Sequence, residues 1–234
     1  MKLIKLYVVA CVLLCSYISC DDGDIYPKET EFGGITVETE ISVKGINAWP
    51  EEYEAILAAY GEDTENPIKK KTLEKPNRET ESIKVTFSHV PSETKTMAII
   101  LLNNRKTVYK FTEVNIDTSK DTVRTGMLTF NLLHYERLQN QLFNQCITCH
   151  GGSESAASNL YLTPGKSYEM LFNYPSTIHP DKKRVLPGNV SESFIVNVLK
   201  EAASVEYDHT KLSSLKKDDI TLLEEWIEAG AKKQ

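Results

Sequence analysis

The chain has 234 residues and a net charge of −6, from 27 Lys and Arg against 33 Asp and Glu. Its 41% hydrophobic and 26% charged residues are enough apolar content for a packed core, in about one or two domains. That excludes a disordered tail, a collagen and a multi-span membrane protein, and the acidic balance argues against nucleic acid as a partner.

Residues 1–19 read as a signal peptide. Lys2 and Lys5 form a basic start, residues 6–14 carry no charge, and Ser19 is a small residue before a cleavage point. Tyr17-Ile18-Ser19-Cys20 resembles a bacterial lipobox. That resemblance implies a lipid on Cys20, which becomes the first mature residue and holds the protein to a membrane without a transmembrane helix. A plain secretory signal with cleavage nearby is the alternative. Asp21, Asp22 and Asp24 resemble a surface-export signal in some lineages and an inner-membrane retention signal in others. The expected location is the cell envelope, anchored at the outer membrane on its periplasmic or surface face. Loss of Lys2 and Lys5 takes the mature charge to −8.

Residues 20–132 are expected to form a linker and an all-β sandwich. Segments 35–43, 83–87 and 108–112 alternate apolar and polar residues, and 97–102 is an apolar run of buried-strand length. The breaks at Gly45-Ile46-Asn47, Gly61-Glu62-Asp63, Pro76-Asn77 and Asn103-Asn104 carry turn residues. Trp49-Pro50, residues 57–60 and Phe87-Ser88-His89-Val90-Pro91 resemble a transthyretin- or carboxypeptidase-regulatory-type sandwich. Trp49 is expected as a core anchor rather than a ligand platform, and His89 as an edge or surface residue rather than a metal ligand. Polar residues 64–80, with Lys69-Lys70-Lys71, are expected as a solvated loop.

Residues 133–234 read as helical. Leu138, Leu142 and Phe143 share a face, as do Phe194, Ile195, Val198 and Leu199, and again Ile220, Leu223 and Ile227. Asn189 with Glu192 has the spacing of a capping box, Asp218 and Asp219 suit a helix start, and Gly230 suits a helix end.

Cys146-Ile147-Thr148-Cys149-His150 carries the chemistry. CxxCH is the c-type haem attachment signature. Two residues between the thiols let both sulfurs add across the vinyl groups on one haem edge, and the next residue then lies where a histidine ligates iron. A zinc site needs four ligands and no second Cys pair follows. A thioredoxin-type pair needs a βαβ setting, and a disulfide across two residues is strained.

On these residues, 143–234 resemble a monohaem class I cytochrome c domain, of bacterial lipoprotein or planctomycete type. The matching features are Phe143, the CxxCH followed by Gly151-Gly152, Leu160 and Leu162 ahead of Pro164-Gly165, Arg184-Val185-Leu186-Pro187-Gly188-Asn189, and Trp226-Ile227 with Gly230-Ala231. The resemblance implies an all-α cytochrome c-like domain with one covalent haem on Cys146 and Cys149. It also implies His150 as proximal ligand and Phe143, Leu160, Leu162 and Trp226 around the ring. The family's distal Met-Pro pair is missing. His209 falls near the expected place, with Met170, His179 or an open site as alternatives.

The expected activity is one-electron transfer with a redox partner protein and no substrate conversion. A haem-based ligand sensor or peroxidase-like protein with an open distal site is one alternative. A surface binding module with an accessory haem domain is the other. Lys182-Lys183-Arg184 is expected as a solvated loop rather than a steering patch for an acidic partner.

Overall fold

Alternation folds as strand. In β1 (Ile35–Lys44) every second side chain is buried, from Ile35 through Val43. It is followed by β2 (Glu54–Tyr60), β3 (Lys69–Thr72), β4 (Ile83–Val90), β5 (Thr96–Asn103), β6 (Lys106–Asn115) and β7 (Thr122–Asn131). The structure, a computed structural model, describes residues 33–152, 155–202 and 204–233. The proposed leader 1–19 and Cys20 lie outside the described residues.

Two sheets form, ordered β4-β1-β7 and β3-β2-β5-β6. β1 pairs antiparallel with β4 and parallel with β7, while the second sheet is antiparallel throughout. Inward residues of both, including Ile41, Val85 and Phe130 from one and Leu57 and Ile99 from the other, share one core. Trp49 sits in that core with its ring edge-on to Phe130 at 5.6 Å. β5 turns into β6 through Asn104 and Arg105, at φ 47° and 70°. Two successive left-handed residues give the hairpin turn whose twist matches its strands.

β2 has no alternation to read, because both of its faces are buried. Ala55, Leu57 and Ala59 join the main core, while Ile56, Ala58 and Tyr60 join Ala98, Ile100 and Leu102 in a second cluster. The Lys69-Lys70-Lys71 run is an edge strand rather than a loop, pairing Lys69, Lys70 and Lys71 with Ala59, Ala58 and Leu57. Lysines on an exposed edge discourage pairing with a second chain.

The expected all-α cytochrome c-like domain is not what the chain forms, and this corrects the fold class. The molecule is mostly β, with a small helical part. Residues 135–150 make one helical run: α1 (Tyr135–Leu138), a π-helical stretch (Gln139–Phe143) and α2 (Asn144–His150). Then come α3 (Ser167–Leu171), α4 (Phe194–Lys200) and α5 (Lys217–Glu228). Pro164, Pro175, Pro180 and Pro187 keep most of residues 160–193 out of helix. Short bridges hold that stretch instead, such as Phe172 to Val185 and Lys183 to Ser193.

These helices have no core of their own. Leu138, Leu142, Phe143, Leu222, Trp226 and Ile227 belong to the same buried cluster as Ile41, Trp49 and Phe130, and residues 34–234 form one compact unit. Arg137 ties the parts together: fully buried, it donates to the carbonyls of Ala48 (3.0 Å) and Leu132 (2.8 Å) and to Gln141 Oε1 (3.0 Å). Burial pulls its guanidinium down to about 10, against the nearby carboxylates Asp218 and Asp219. Among the described residues no helix is long and apolar enough to cross a membrane.

Candidate functional site

α2 delivers Cys146, Cys149 and His150. Cys146 and Cys149 are three residues apart on one helix, and both thiols are free. Cys146 is half-buried against the core, with Sγ 3.6 Å from the Leu142 carbonyl, while Cys149 is exposed. Burial pushes the Cys146 thiol up to about 11, and the charge of Asp219 adds to this. Gly151 ends the helix where a Cβ would collide with the Ile147 carbonyl, so only glycine lets the chain turn directly after His150.

His150 is held at its inner nitrogen. Nδ1 lies 3.1 Å from the Ala157 carbonyl and 3.2 Å from the Leu160 carbonyl. Those two acceptors fix Nδ1 as the protonated nitrogen and leave Nε2 with its lone pair. Burial pulls the imidazole below its ordinary value. The two carbonyls oppose that shift, and His209 and Arg184 add to it. Arg184, buried, clamps the loop that supplies the acceptors. It donates to the carbonyls of Ser158 (3.2 Å) and Asn159 (3.2 Å), and to that of Met170 at 2.9 Å. Leu162 closes the loop by donating its N–H to the His150 carbonyl at 2.7 Å.

His209 faces His150. The ring centroids are 6.4 Å apart and the planes 25° from parallel. His209 Nδ1 lies 2.8 Å from the Tyr207 carbonyl, so this ring too presents Nε2. It stands on a 3-10 turn (His209–Lys211) capped by Asp208, whose carboxylate accepts from Thr210 N (3.1 Å) and Thr210 Oγ1 (2.6 Å) and pairs with Lys211 (3.0 Å). Those bonds hold the Asp208 carboxyl below the usual range.

The other sequence candidates separate. His179 packs edge-on against Phe194 at 5.0 Å, and Met170 lies half-buried on α3. Phe143, Leu162 and Trp226 are buried in the core, with Leu160 packed against it. Trp226 also donates Nε1–H to the Lys232 carbonyl at 2.7 Å. Two large apolar residues stand exposed here: Ile147 within the motif, and Tyr207, whose ring is 5.0 Å from His209.

Sequence reasoning missed a buried polar knot beside the motif. Asp219 accepts from Tyr53 Oη (2.7 Å), Gln141 Nε2 (2.9 Å), Gln145 Nε2 (3.3 Å) and Lys216 N (2.9 Å). Read along the chain, Asp219 is simply a first-turn acid. The Gln141/Gln145 pair, one helical turn apart just before Cys146, was the available signal.

Among the described residues no three His, Cys, Asp or Glu side chains gather tightly enough to hold a bare ion. A porphyrin asks for less, since it brings four nitrogens of its own and needs only axial ligands and, for the c-type, two thiols. Two histidines whose Nδ1 atoms are tied to backbone carbonyls and two free thiols on one helix are the donor types such a group takes, so the donor set present here suits it. Comparison with protein-family models, curated proteins and solved structures finds no match for this chain.

Proposed function

We propose that this protein is an exported, lipid-anchored carrier of a single covalent haem that performs one-electron transfer. The facing pair His150 and His209 carries the reading. Two imidazoles with inner nitrogens tied to backbone carbonyls, beside the two free thiols of a CxxCH, are the residues that would hold such a haem. When bound, the haem supplies an iron that cycles between Fe(III) and Fe(II).

The chain's own residues do the rest. Cys146 and Cys149 tether the ring as thioethers, so it is not lost outside the cytoplasm. The carbonyls of Ala157, Leu160 and Tyr207 orient the two ligands and make them stronger donors. Ile147 and Tyr207 offer apolar cover for a planar group. With both histidines holding it, the haem iron would supply electron exchange rather than a site for a substrate. This favours electron transfer with a redox partner protein over a sensor or peroxidase-like role. The lipid on Cys20 would keep the carrier at the outer membrane of the cell envelope.

Expression with a haem-maturation system tests this. The expected product keeps haem through a denaturing gel and gives a low-spin spectrum in both oxidation states. Changing both Cys146 and Cys149 to Ala abolishes the covalent haem. His209→Ala turns the spectrum high-spin and lets carbon monoxide bind. A soluble product without covalent haem would rule the reading out.

A further inference from the structure

The knot at Asp219 is an uncommon thing to bury. Its side chain has no exposure, and among the described residues it forms no ion pair with Lys, Arg or His. Its four hydrogen-bond donors are neutral: a phenol, two amides and a backbone N–H. Neutral dipoles hold a carboxylate in place without cancelling its charge, and at low local dielectric the remaining field reaches far. Two cations stand nearby without bonding it: Arg137, whose Nε donates to Gln141 at 3.0 Å and whose charge interacts with Asp219, and Lys216, whose Nζ lies 3.8 Å from the Tyr53 ring centroid.

The field falls on the attachment motif. Gln145 Nε2 touches Asp219 Oδ2 and the Gln141 carbonyl, and Gln145 immediately precedes Cys146 on the helical run. Asp219 is also one of the charges that act on Cys146. The knot therefore lies against the side of α2 that carries the first thioether.

Resting on the haem reading above, we infer that Asp219 is the potential-setting residue of this protein: its buried charge holds the reduction potential down, and the donors around it set by how much. Reduction takes one electron from the donor protein onto the iron, with no bond made or broken and no proton required. The oxidised centre carries one more positive charge than the reduced one, so a nearby fixed anion favours the oxidised state. Each donor to Asp219 draws off part of the anion's field and moves the potential back up.

The test is a redox titration of the full-length holoprotein and its variants, followed by absorbance. Asp219→Asn removes the charge and is expected to raise the midpoint potential. Tyr53→Phe removes the phenol donor but keeps the charge, and is expected to lower it. Gln145→Leu is expected to lower it too. Opposite signs are the signature, since a purely structural role would move all three the same way or none. The shifts should persist at high ionic strength, because the Asp219 side chain is fully buried. Asp219 also caps α5, so if Asp219→Asn does not fold, Tyr53→Phe and Gln145→Leu carry the test with their expected downward shifts. Unchanged potentials in intact holoproteins, or an upward shift in Tyr53→Phe, would overturn the inference and leave the haem reading standing. Absence of covalent haem in the parent protein would remove both.

Discussion

Asp218 and Asp219 are neighbours in sequence with different environments. Asp218 accepts from the backbone N–H of Glu52 at 2.5 Å, and its own N–H donates to Glu52 Oε2 at 2.9 Å. Burial raises the Asp218 carboxyl above its ordinary range, and the charges of Glu52 and Glu51 add to that. The Glu52 N–H and Arg137 oppose it. A carboxyl raised in the folded state contributes stability below its unfolded value of about 3.9, and that contribution is lost as pH climbs through the folded value. Asp218→Asn removes this loss. Denaturant unfolding at about pH 3 and pH 7 should therefore find the variant gaining on the parent as pH rises. A variant that loses ground over that range would mean the ionised form is the favoured one. None of this is legible from two adjacent acids at a helix start, because the dipole reading treats both alike. What differs is which strand-side residues come to meet them.

At the scale of the element, α5 ends as its sequence predicts. Gly230, at φ 94°, follows the last turn, with its N–H on the Ile227 carbonyl (2.9 Å) and the Ala231 N–H on the Trp226 carbonyl (2.8 Å). This pair of bonds is a Schellman motif, which needs a left-handed residue at that place. Gly230→Ala is expected to cost about 1 kcal/mol, read as a lower urea midpoint at unchanged slope. A loss well under half of that would mean the turn relaxes into another cap. The start of α4 departs from expectation. Asn189 does not cap it; its side chain accepts from Glu192 N at 3.1 Å in a local turn, and Ser193 precedes the helix at Phe194. An Asx turn and a capping box use the same residues at the same spacing, so the sequence alone does not separate them. The π-helical stretch is also invisible in sequence. It brings Gln139 and Gln141 into the interior beside Leu142 and Phe143, where Gln139 Nε2 finds the Leu162 carbonyl at 3.0 Å.

At the scale of the molecule, the sandwich and the helices share one interior, fastened by Arg137 and by the Glu52 and Tyr53 contacts to α5. Thermal unfolding of the chain should give one transition with equal calorimetric and van't Hoff enthalpies. Two resolved transitions would mean the helical residues fold as a separate unit after all. Legible along the chain were the strands with clear alternation, the final helix and its cap, and the CxxCH spacing of Cys146, Cys149 and His150. These are local: period, turn chemistry and spacing are written in consecutive residues. Long-range packing is what makes the helices lean on the sandwich, turns β2 and the lysine run into strands, and brings His209 rather than His179 to His150. It alone gathered Tyr53, Gln141 and Gln145 around Asp219. Those outcomes depend on which distant surfaces exclude water together, and residues as far apart as Tyr53 and Asp219 leave no pattern in the chain that forecasts their meeting.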